Sequence, residues 1–182
     1  MLEPNFIPFP VLTTQHLILR RLRIEDSPEI FIHRSDPAIN EFIKRDLALN
    51  EEDAKNWILK VLTLEEKNES INWAIALKSQ TELIGTICLW NIEKDNHVAE
   101  VGYSLHPDYF GKGLMTEALL AVNNYGFETM KLSRIDAYTQ KGNVRSIKML
   151  EKNGFKRNFD FEKIYPNKEE LEYNGIYTLS RK

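Results

Sequence analysis

A turn with two glycines one residue apart is the part of this sequence whose residue types best suit ligand chemistry. Gly111 and Gly113 lie between an apolar, β-prone segment, 98–105, and a helical pattern that continues to about residue 130. Glycine allows positive φ and a close approach of the backbone to a ligand. The first N–H groups of the following helix lack partners, so with the helix dipole they suit an anion such as phosphate. A plain turn with a helix cap is the alternative, because the nucleotide-binding patterns GxxxxGK[ST] and GxGxxG are absent.

Length and composition bound the kind of protein to which this turn belongs. The 182 residues, 42% hydrophobic and 28% charged, predict one globular domain spanning 1–182. A formal net charge of −3 does not favour a nucleic-acid binder. Cys88 is the single cysteine, which argues against a disulfide framework and suits a reducing cytoplasm. The histidines have no metal-ligand spacing, so no metal is predicted, and neither a signal peptide nor a membrane-spanning stretch is recognisable.

The pattern of apolar residues predicts an α/β (α+β) fold that positions this turn. Residues 1–14, with three prolines, are predicted to be an irregular lead-in. Predicted helices begin at Ser27 and Asn50 and then cover 113–130 and 144–153, with a short helical piece before Ile43. Strands are predicted at 15–24, 71–78, 83–92, 97–106, 133–140, 155–165 and 171–179.

The connections between the strands predict how they pair. Short polar connectors after 71–78 and 83–92 imply an antiparallel meander, since a parallel crossover needs a dozen or more residues. The passage from strand to helix to strand around the glycine turn implies one parallel step. The expected sheet is therefore mixed and mostly antiparallel, with about seven strands flanked by helices.

Several motifs, in this order of elements, resemble the GNAT acetyltransferases. They are 110–118 after the third meander strand, 99–103 within that strand, and 143–155 at the later short helix. Together with 17–20 near the start, they are most similar to the branch that acetylates the N-terminal alanine of a ribosomal protein. The resemblance covers roughly residues 13–180.

This resemblance implies transfer of an acetyl group from acetyl-coenzyme A to an amine. The pyrophosphate of the cofactor would lie on the backbone N–H groups of the glycine turn, the pantetheine along the end of the third meander strand. The residues implied to contact the cofactor are Tyr103, Ser104, Leu105, Phe110, Gly111, Lys112, Gly113, Leu114, Met115, Thr116 and Asn143. Phe110 and Met115 depart from the general family pattern but resemble the alanine-acetylating branch.

Acetyl transfer to an amine requires a proton acceptor, a polarised thioester carbonyl and a stabilised thiolate. Backbone N–H groups near 101–105 are predicted to polarise the carbonyl. Glu100 is predicted to be the base, directly or through water, because it alternates with the apolar Ala99 and Val101. A β-bulge, common near active sites, would re-aim such side chains. The alternative for Glu100 is an exposed carboxylate, or one paired with a lysine or arginine.

The leaving thiolate poses a separate question, because many family members use a tyrosine of the second helix as its acid. The matching residue here is Leu150. Ser146 is therefore predicted to be the acid or thiolate hydrogen-bond donor, although serine is common in the first turn of a helix anyway. Asn143 is predicted to cap this helix and to contact the cofactor. Cys88 lacks an evident activating base, which disfavours an acyl-enzyme route.

The sequence is also compatible with other functions. A non-catalytic acyl-CoA-binding module could use the same fold, since fold does not dictate function. The acceptor could be a protein N-terminus, a polyamine, an amino acid or an aminoglycoside, because residues 26–69 and the last strands carry no recognisable motif. The resemblance also implies a ribosomal-protein N-terminus as partner and a homodimer. The acidic charge balance and the lack of a long apolar stretch predict no direct contact with nucleic acid or membrane.

Overall fold

A single eight-stranded sheet organises the computed structural model, which describes residues 1–181. The strands are β1 (Leu12–Thr13), β2 (Leu17–Arg21), β3 (Ile71–Leu77), β4 (Leu83–Glu93), β5 (Val98–Leu105), β6 (Arg134–Gln140), β7 (Lys156–Arg157) and β8 (Asn174–Ser180). Their order in the sheet is β1-β2-β3-β4-β5-β6-β8-β7. β5 and β6 are parallel and the other neighbours are antiparallel. The predicted mixed sheet and its parallel step at the glycine turn are confirmed.

Helices cover both faces of this sheet. They are α1 (Ser27–Ser35), α2 (Pro37–Asn40), α3 (Glu51–Glu66), α4 (Leu114–Asn124), α5 (Val144–Lys152), α6 (Phe159–Ile164) and α7 (Lys168–Tyr173). A π-helical turn, Tyr125–Thr129, continues α4. Asn50 caps α3 as predicted, because its side chain accepts a hydrogen bond from the N–H of Asp53 at 3.0 Å. Across residues 1–181 no helix has the length and apolar character needed to cross a bilayer.

Strand β3 separates two hydrophobic clusters because its side chains alternate between the faces of the sheet. Trp73 and Ile75 join the larger cluster, which also contains the buried side of α4. Ala74 faces the smaller cluster, in which apolar residues of α1 and α3 pack together. This packing fixes α1 and α3 on the second face of the sheet.

The chain after α5 differs from the prediction. The strand predicted at 155–165 is wrong, because only β7 is extended and α6 follows it. Asn158 caps α6 by accepting a hydrogen bond from the N–H of Phe161 at 2.9 Å. Asn167 caps α7 in the same way, so the last strand begins at Asn174 instead of 171. Two local caps thus outweigh the strand propensity of the aromatic residues between them.

The N-terminal segment also differs from the predicted irregular lead-in. Residues 12 and 13 form β1, which raises the strand count from about seven to eight. Leu2 and Phe6 are buried in the larger cluster. The N–H of Phe6 donates to Asn68 Oδ1 at 2.9 Å, which anchors the segment beside the end of α3.

Candidate active site

The cleft of the molecule arises where β5 and β6 separate. These strands pair from Val98 opposite Arg134 to Glu100 opposite Asp136, and no further. On its other edge, β5 remains paired with β4 as far as Leu105 opposite Gly85. The edge of 101–105 that faces β6 is therefore free to hydrogen-bond with a ligand, in the manner of an added strand.

Two cavities lie along this cleft, and the first adjoins the glycine turn. It has a volume of about 640 Å³. The predicted cofactor contacts that line it are Tyr103, Ser104, Leu105, Phe110, Gly111, Gly113, Leu114, Met115, Thr116 and Asn143. Lys112 is not among the lining residues, and its Nζ lies 5.3 Å from the ring centroid of Tyr109. The side chain of Lys112 thus points onto a neighbouring ring, which leaves its backbone N–H as the group that could contact a phosphate.

The backbone of the glycine turn has the geometry of an anion site. Gly111 and Gly113 have φ of 73° and 77°, and an added Cβ would meet nothing within 4 Å at either position. Backbone conformation, not lack of space, therefore requires glycine here. Gly113 caps α4 without a side-chain hydrogen bond, and the first backbone bond of the helix runs from the Glu117 N–H to the Gly113 carbonyl. The N–H groups of 111–116 donate to no acceptor within the described chain, so they fit a pyrophosphate.

Arg145 belongs to the first cavity, although no sequence pattern predicted it. The guanidinium carbon of Arg145 lies 4.0 Å from the ring centroid of Phe110, and both side chains line the cavity. This cation–π contact joins the start of α5 to the glycine turn. The motif 143–155 contains Arg145, but only the fold places the first turn of α5 opposite residue 110.

The side chains of Tyr103 and Ser146 meet between the two cavities. The Tyr103 phenol oxygen lies 2.8 Å from Ser146 Oγ, and both residues line both cavities. Burial raises the pKa of Tyr103 to about 12, so the phenol stays protonated near neutral pH. Leu150 is fully buried in the larger cluster and takes no part in the cleft. The phenol that contacts Ser146 thus comes from β5 and not from α5.

Asn143 fixes the position of Ser146. Its Oδ1 accepts a hydrogen bond from the Ser146 N–H at 3.1 Å, which makes it the N-cap of α5. Asn143 lines both cavities as well, so capping and ligand contact are compatible.

Glu100 lies in the second cavity, which has a volume of about 580 Å³. Asn91 Nδ2 donates to its carboxylate at 3.0 Å, and no lysine or arginine of residues 1–181 forms a salt bridge with it. Burial, reinforced by the nearby carboxylates of Asp136, Glu170 and Glu93, raises the pKa of Glu100 to about 7, although the bond from Asn91 lowers it. A pKa close to neutral suits a general base.

The predicted bulge is present, but on the neighbouring strand. Trp90 pairs with Glu100 and Glu93 pairs with Val98, so β4 holds one more residue than β5 between these pairs. Within this irregularity Asn91 adopts a φ of 45°, and its amide reaches Glu100. The bulge therefore supplies the hydrogen-bond partner of Glu100 and leaves the alternation of β5 itself unchanged.

The second cavity has two chemically different sides. Strands β3 to β6 contribute one side, with Glu100 and the aromatic rings of Trp90 and Tyr138. Helices α1 and α3 and the segment before α3 contribute the other side, with the cations Arg34, Lys44, Arg45 and Lys60. Cys88 also lines this cavity, but burial raises the pKa of its thiol to about 12, so it is not a nucleophile at neutral pH. In residues 1–181 no three potential metal ligands of the His, Cys, Asp or Glu types come together.

Comparison with known proteins identifies the family. Residues 16–156 match the sequence model of the acetyltransferase (GNAT) domain. The uncharacterized N-acetyltransferase YoaA of Bacillus subtilis (strain 168) is 32% identical over 149 residues, which cover 82% of this chain and 84% of that protein. A GNAT-family acetyltransferase structure from Bacillus anthracis is 28% identical, with a TM-score of 0.78 over 94% of this chain and 98% of that chain.

A more distant structure shares the fold and was solved with coenzyme A bound. The ribosomal L7/L12 α-N-protein acetyltransferase RimL, in complex with coenzyme A, has a TM-score of 0.78 at 17% identity, covering 94% of this chain and 98% of that one. Acetyl-coenzyme A is the acetyl donor of this family, and the free N–H groups of the glycine turn fit its pyrophosphate. The chain therefore belongs to the GNAT family and is an N-acetyltransferase that uses acetyl-coenzyme A.

Proposed function

We propose that this enzyme acetylates the N-terminal amine of a protein, with Glu100 as base and the Ser146–Tyr103 pair as the donor to the leaving thiolate. One observation carries the proposal. The hydroxyl pair lies where the two cavities meet, and the half-buried, unpaired Glu100 lines the second of them. A thioester entering along the first cavity and an amine entering along the second would meet beside these groups.

The first cavity is proposed to hold the cofactor, which supplies the acetyl group as a thioester. The N–H groups of 111–116 bind its pyrophosphate, and Arg145 adds a positive charge beside them. The free edge of β5 at 103–105 hydrogen-bonds with the pantetheine amides. Asn143 holds the opposite side of the cleft.

The second cavity is proposed to bind the acceptor amine, which Glu100 deprotonates. An α-ammonium has a pKa near ~8, so most acceptor molecules arrive protonated at neutral pH. Glu100 accepts that proton, directly or through one water, and the free amine then forms its bond to the acetyl carbon. Backbone N–H groups of 101–105 stabilise the charge that grows on the carbonyl oxygen.

The carbon–sulfur bond breaks as the carbon–nitrogen bond forms, and its electron pair stays on sulfur. Ser146 donates its hydroxyl proton toward that sulfur, and Tyr103 returns a proton to Ser146 through their 2.8 Å contact. Once its bond to the acetyl carbon has formed, the nitrogen carries a positive charge and one proton too many, and it releases this second proton to water. Solvent restores the phenol proton, and Glu100 releases its proton to water. The products are the acetylated amine and free coenzyme A.

The choice of a protein N-terminus rests on the family branch that the motifs resemble and on the name of the RimL neighbour. Small amines, such as polyamines, amino acids and aminoglycosides, are the second candidate. We also propose that residues 1–182 form one catalytic domain. The enzyme is proposed to lie in the cytoplasm, which cell fractionation tests, and to form a homodimer, which light scattering tests.

The decisive experiment measures thiol release from acetyl-coenzyme A with a panel of amines. Peptides with a free N-terminus, the same peptides with a blocked N-terminus, and small amines are compared, and mass spectrometry locates the acetyl group. We expect acetylation of the free N-terminus, none of the blocked peptides, and slower reaction of the small amines. A peptide acetylated only on lysine, or faster turnover of a small amine, would contradict the N-terminal assignment.

A further inference from the structure

Two arginines in the second cavity lack a carboxylate partner. Arg34 of α1 and Arg45, which follows α2, both line this cavity and are half-buried. Neither forms a salt bridge with any carboxylate of residues 1–181. Arginines at the sheet behave differently, since Arg20 pairs with Asp26 at 2.7 Å and Arg134 with Asp136 at 2.9 Å.

Neutral groups hold the two guanidinium groups in place. Arg45 Nε donates to Asn40 Oδ1 at 2.6 Å, and its Nη2 donates to the carbonyl of His33 at 3.0 Å. The guanidinium carbon of Arg34 lies 4.8 Å from the ring centroid of Trp57. These contacts orient the side chains but leave both positive charges uncompensated.

Burial of both guanidinium groups, and the charge of Arg34 next to Arg45, are unfavourable in the absence of an anion. Burial lowers the pKa of Arg34, and burial together with the charge of Arg34 lowers the pKa of Arg45 to about 10. Half-buried cations without a counter-charge are unfavourable, whereas a carboxylate between them would form charge-assisted hydrogen bonds. The helical side of the second cavity therefore carries the positive charge that would bind an anion.

The distribution of charge indicates what kind of anion this is. Among the described residues that line the second cavity, Glu100 is the one carboxylate, and it belongs to the sheet side. All four cations of this cavity belong to the helical side. Lys44 and Lys60 are exposed, so the positive side extends from the half-buried arginines to the rim. A single carboxylate next to an amine needs only the arginines. A chain of several acidic residues uses the lysines at the rim as well.

We propose that the acceptor is an acidic peptide N-terminus, whose amine approaches Glu100 while carboxylates in its first residues bind Arg34 and Arg45. This inference deepens the proposed function and rests on it. Under this proposal the enzyme prefers N-termini followed by acidic residues. The catalytic groups Glu100, Ser146 and Tyr103 would not by themselves create this preference.

The first arm of the test varies the peptide. Three peptides of one length, all amidated at the C-terminus, differ at positions two to four. The acidic peptide carries aspartate and glutamate there, the amide peptide asparagine and glutamine, and the lysine peptide lysine. Free aspartate and glutamate serve as the small-carboxylate arm. We expect kcat/KM for the acidic peptide to exceed that of the amide peptide by at least about tenfold, as one charge-assisted contact provides. Higher salt should reduce this preference.

The second arm varies the protein. Arg34→Gln should raise KM for the acidic peptide by about tenfold or more and leave kcat/KM for the amide peptide within about twofold. Lys152→Gln is the matched control, because Lys152 is exposed on α5 and lines neither cavity. Arg34→Glu should favour the lysine peptide. The increase in melting temperature caused by acetyl-coenzyme A reports that each variant is folded.

The outcomes separate this inference from the proposed function. Equal use of acidic and amide peptides, with no change in Arg34→Gln, overturns the charge selection while N-terminal acetylation stands. If free aspartate or glutamate reacts faster than every peptide, the acceptor is not a peptide, and this inference is overturned. Only the binding of a carboxylate by the arginines would then stand. Absence of acetylation on any N-terminus overturns the proposed function itself.

Discussion

The phenol oxygen of Tyr103 lies 2.8 Å from the hydroxyl oxygen of Ser146, where the two cavities of the cleft meet. Tyr103 comes from β5 and Ser146 from the first turn of α5, so the contact bridges the two sides of the cleft. Leu150, one turn further along α5, is buried in the hydrophobic core. Two hydroxyl groups from different elements thus meet at the boundary of the cavities, while α5 itself contributes no phenol there.

Removing either hydroxyl should slow turnover. We expect Ser146→Ala to lower kcat by about tenfold or more with little change in the Kd of acetyl-coenzyme A, because the contact with sulfur strengthens only as the thiolate forms. Tyr103→Phe should have a smaller effect in the same direction. Stopped-flow thiol release and calorimetric binding measure the two quantities. Full turnover in both variants would mean that the thiolate leaves without help from this pair.

Coupling between these two residues offers a sharper test. If the phenol acts only through Ser146, the double variant should be no slower than Ser146→Ala alone. Additive losses would indicate two independent roles and would contradict the proton path from Tyr103 through Ser146.

The glycine turn should control cofactor binding without controlling the fold. Gly113→Val forces a β-branched residue into a φ of 77°, and the turn must then rearrange and misalign its N–H groups. We expect the increase in melting temperature caused by acetyl-coenzyme A to disappear. Gly154→Val places the same residue at a φ of 88° outside both cavities. This control should lose stability but retain the increase, and an unchanged increase in Gly113→Val would place the phosphates elsewhere.

Local signals in the sequence predicted much of this arrangement. Gly111 and Gly113 predicted the turn, Asn50 and Asn143 predicted two helix starts, and short polar connectors predicted the meander. Each of these features depends on only a few adjacent residues. The alternation of β5 singled out Glu100, which lines the second cavity, but it did not predict that Val101 and Tyr103 of the opposite parity line that cavity too. These features need no knowledge of the remainder of the chain.

Contacts between distant segments could not be predicted in the same way. Tyr103 and Ser146 are 43 residues apart, and the packing of α1 against α3 brings Arg34 over the ring of Trp57. Residues 155–165 were predicted to form a strand, but Asn158 and Asn167 cap two helices instead. Side chains that meet only through tertiary packing leave no spacing in the sequence to recognise.

A buried histidine should make stability depend on pH. His33 is buried, and neither ring nitrogen has a hydrogen-bond partner in the described chain. Burial, followed by the nearby charges of His106 and Arg45, lowers its pKa from 6.5 to about 4, while Asp36 opposes the shift. The neutral ring is therefore the form that folding accommodates.

The sign of the effect follows from proton uptake. Above about pH 6.5 the ring is neutral in both states, so stability is fully present. Between pH 6.5 and about 4 the unfolded chain binds a proton that the folded chain does not, so the free energy of unfolding falls, by up to about 3 kcal/mol. His33→Leu should flatten this part of the curve, measured by urea unfolding at several pH values. An equally steep curve in His33→Leu would assign the loss to other groups.

The pH dependence of catalysis tests Glu100. Burial raises its pKa to about 7, and only the ionised carboxylate can accept the ammonium proton, so kcat/KM should rise with pH through about 7. Glu100→Gln preserves the shape of the side chain and removes the base. We expect turnover to fall by about 10²–10⁴-fold, with the limb near pH 7 lost. The residual turnover should instead rise with pH through ~8, where the acceptor amine loses its proton in solution. Cofactor affinity should be unchanged.

Asn91 allows the same carboxylate to be tuned without being replaced. Its Nδ2 donates to Glu100 at 3.0 Å and lowers the pKa of the carboxylate, so Asn91→Gly should move the limb near pH 7 to higher pH. Glycine tolerates the φ of 45° at this position, and the bulge should persist. A structural carboxylate would not shift a kinetic limb in this way. A loss below about tenfold in Glu100→Gln, together with an unmoved limb in Asn91→Gly, would mean that water takes the proton.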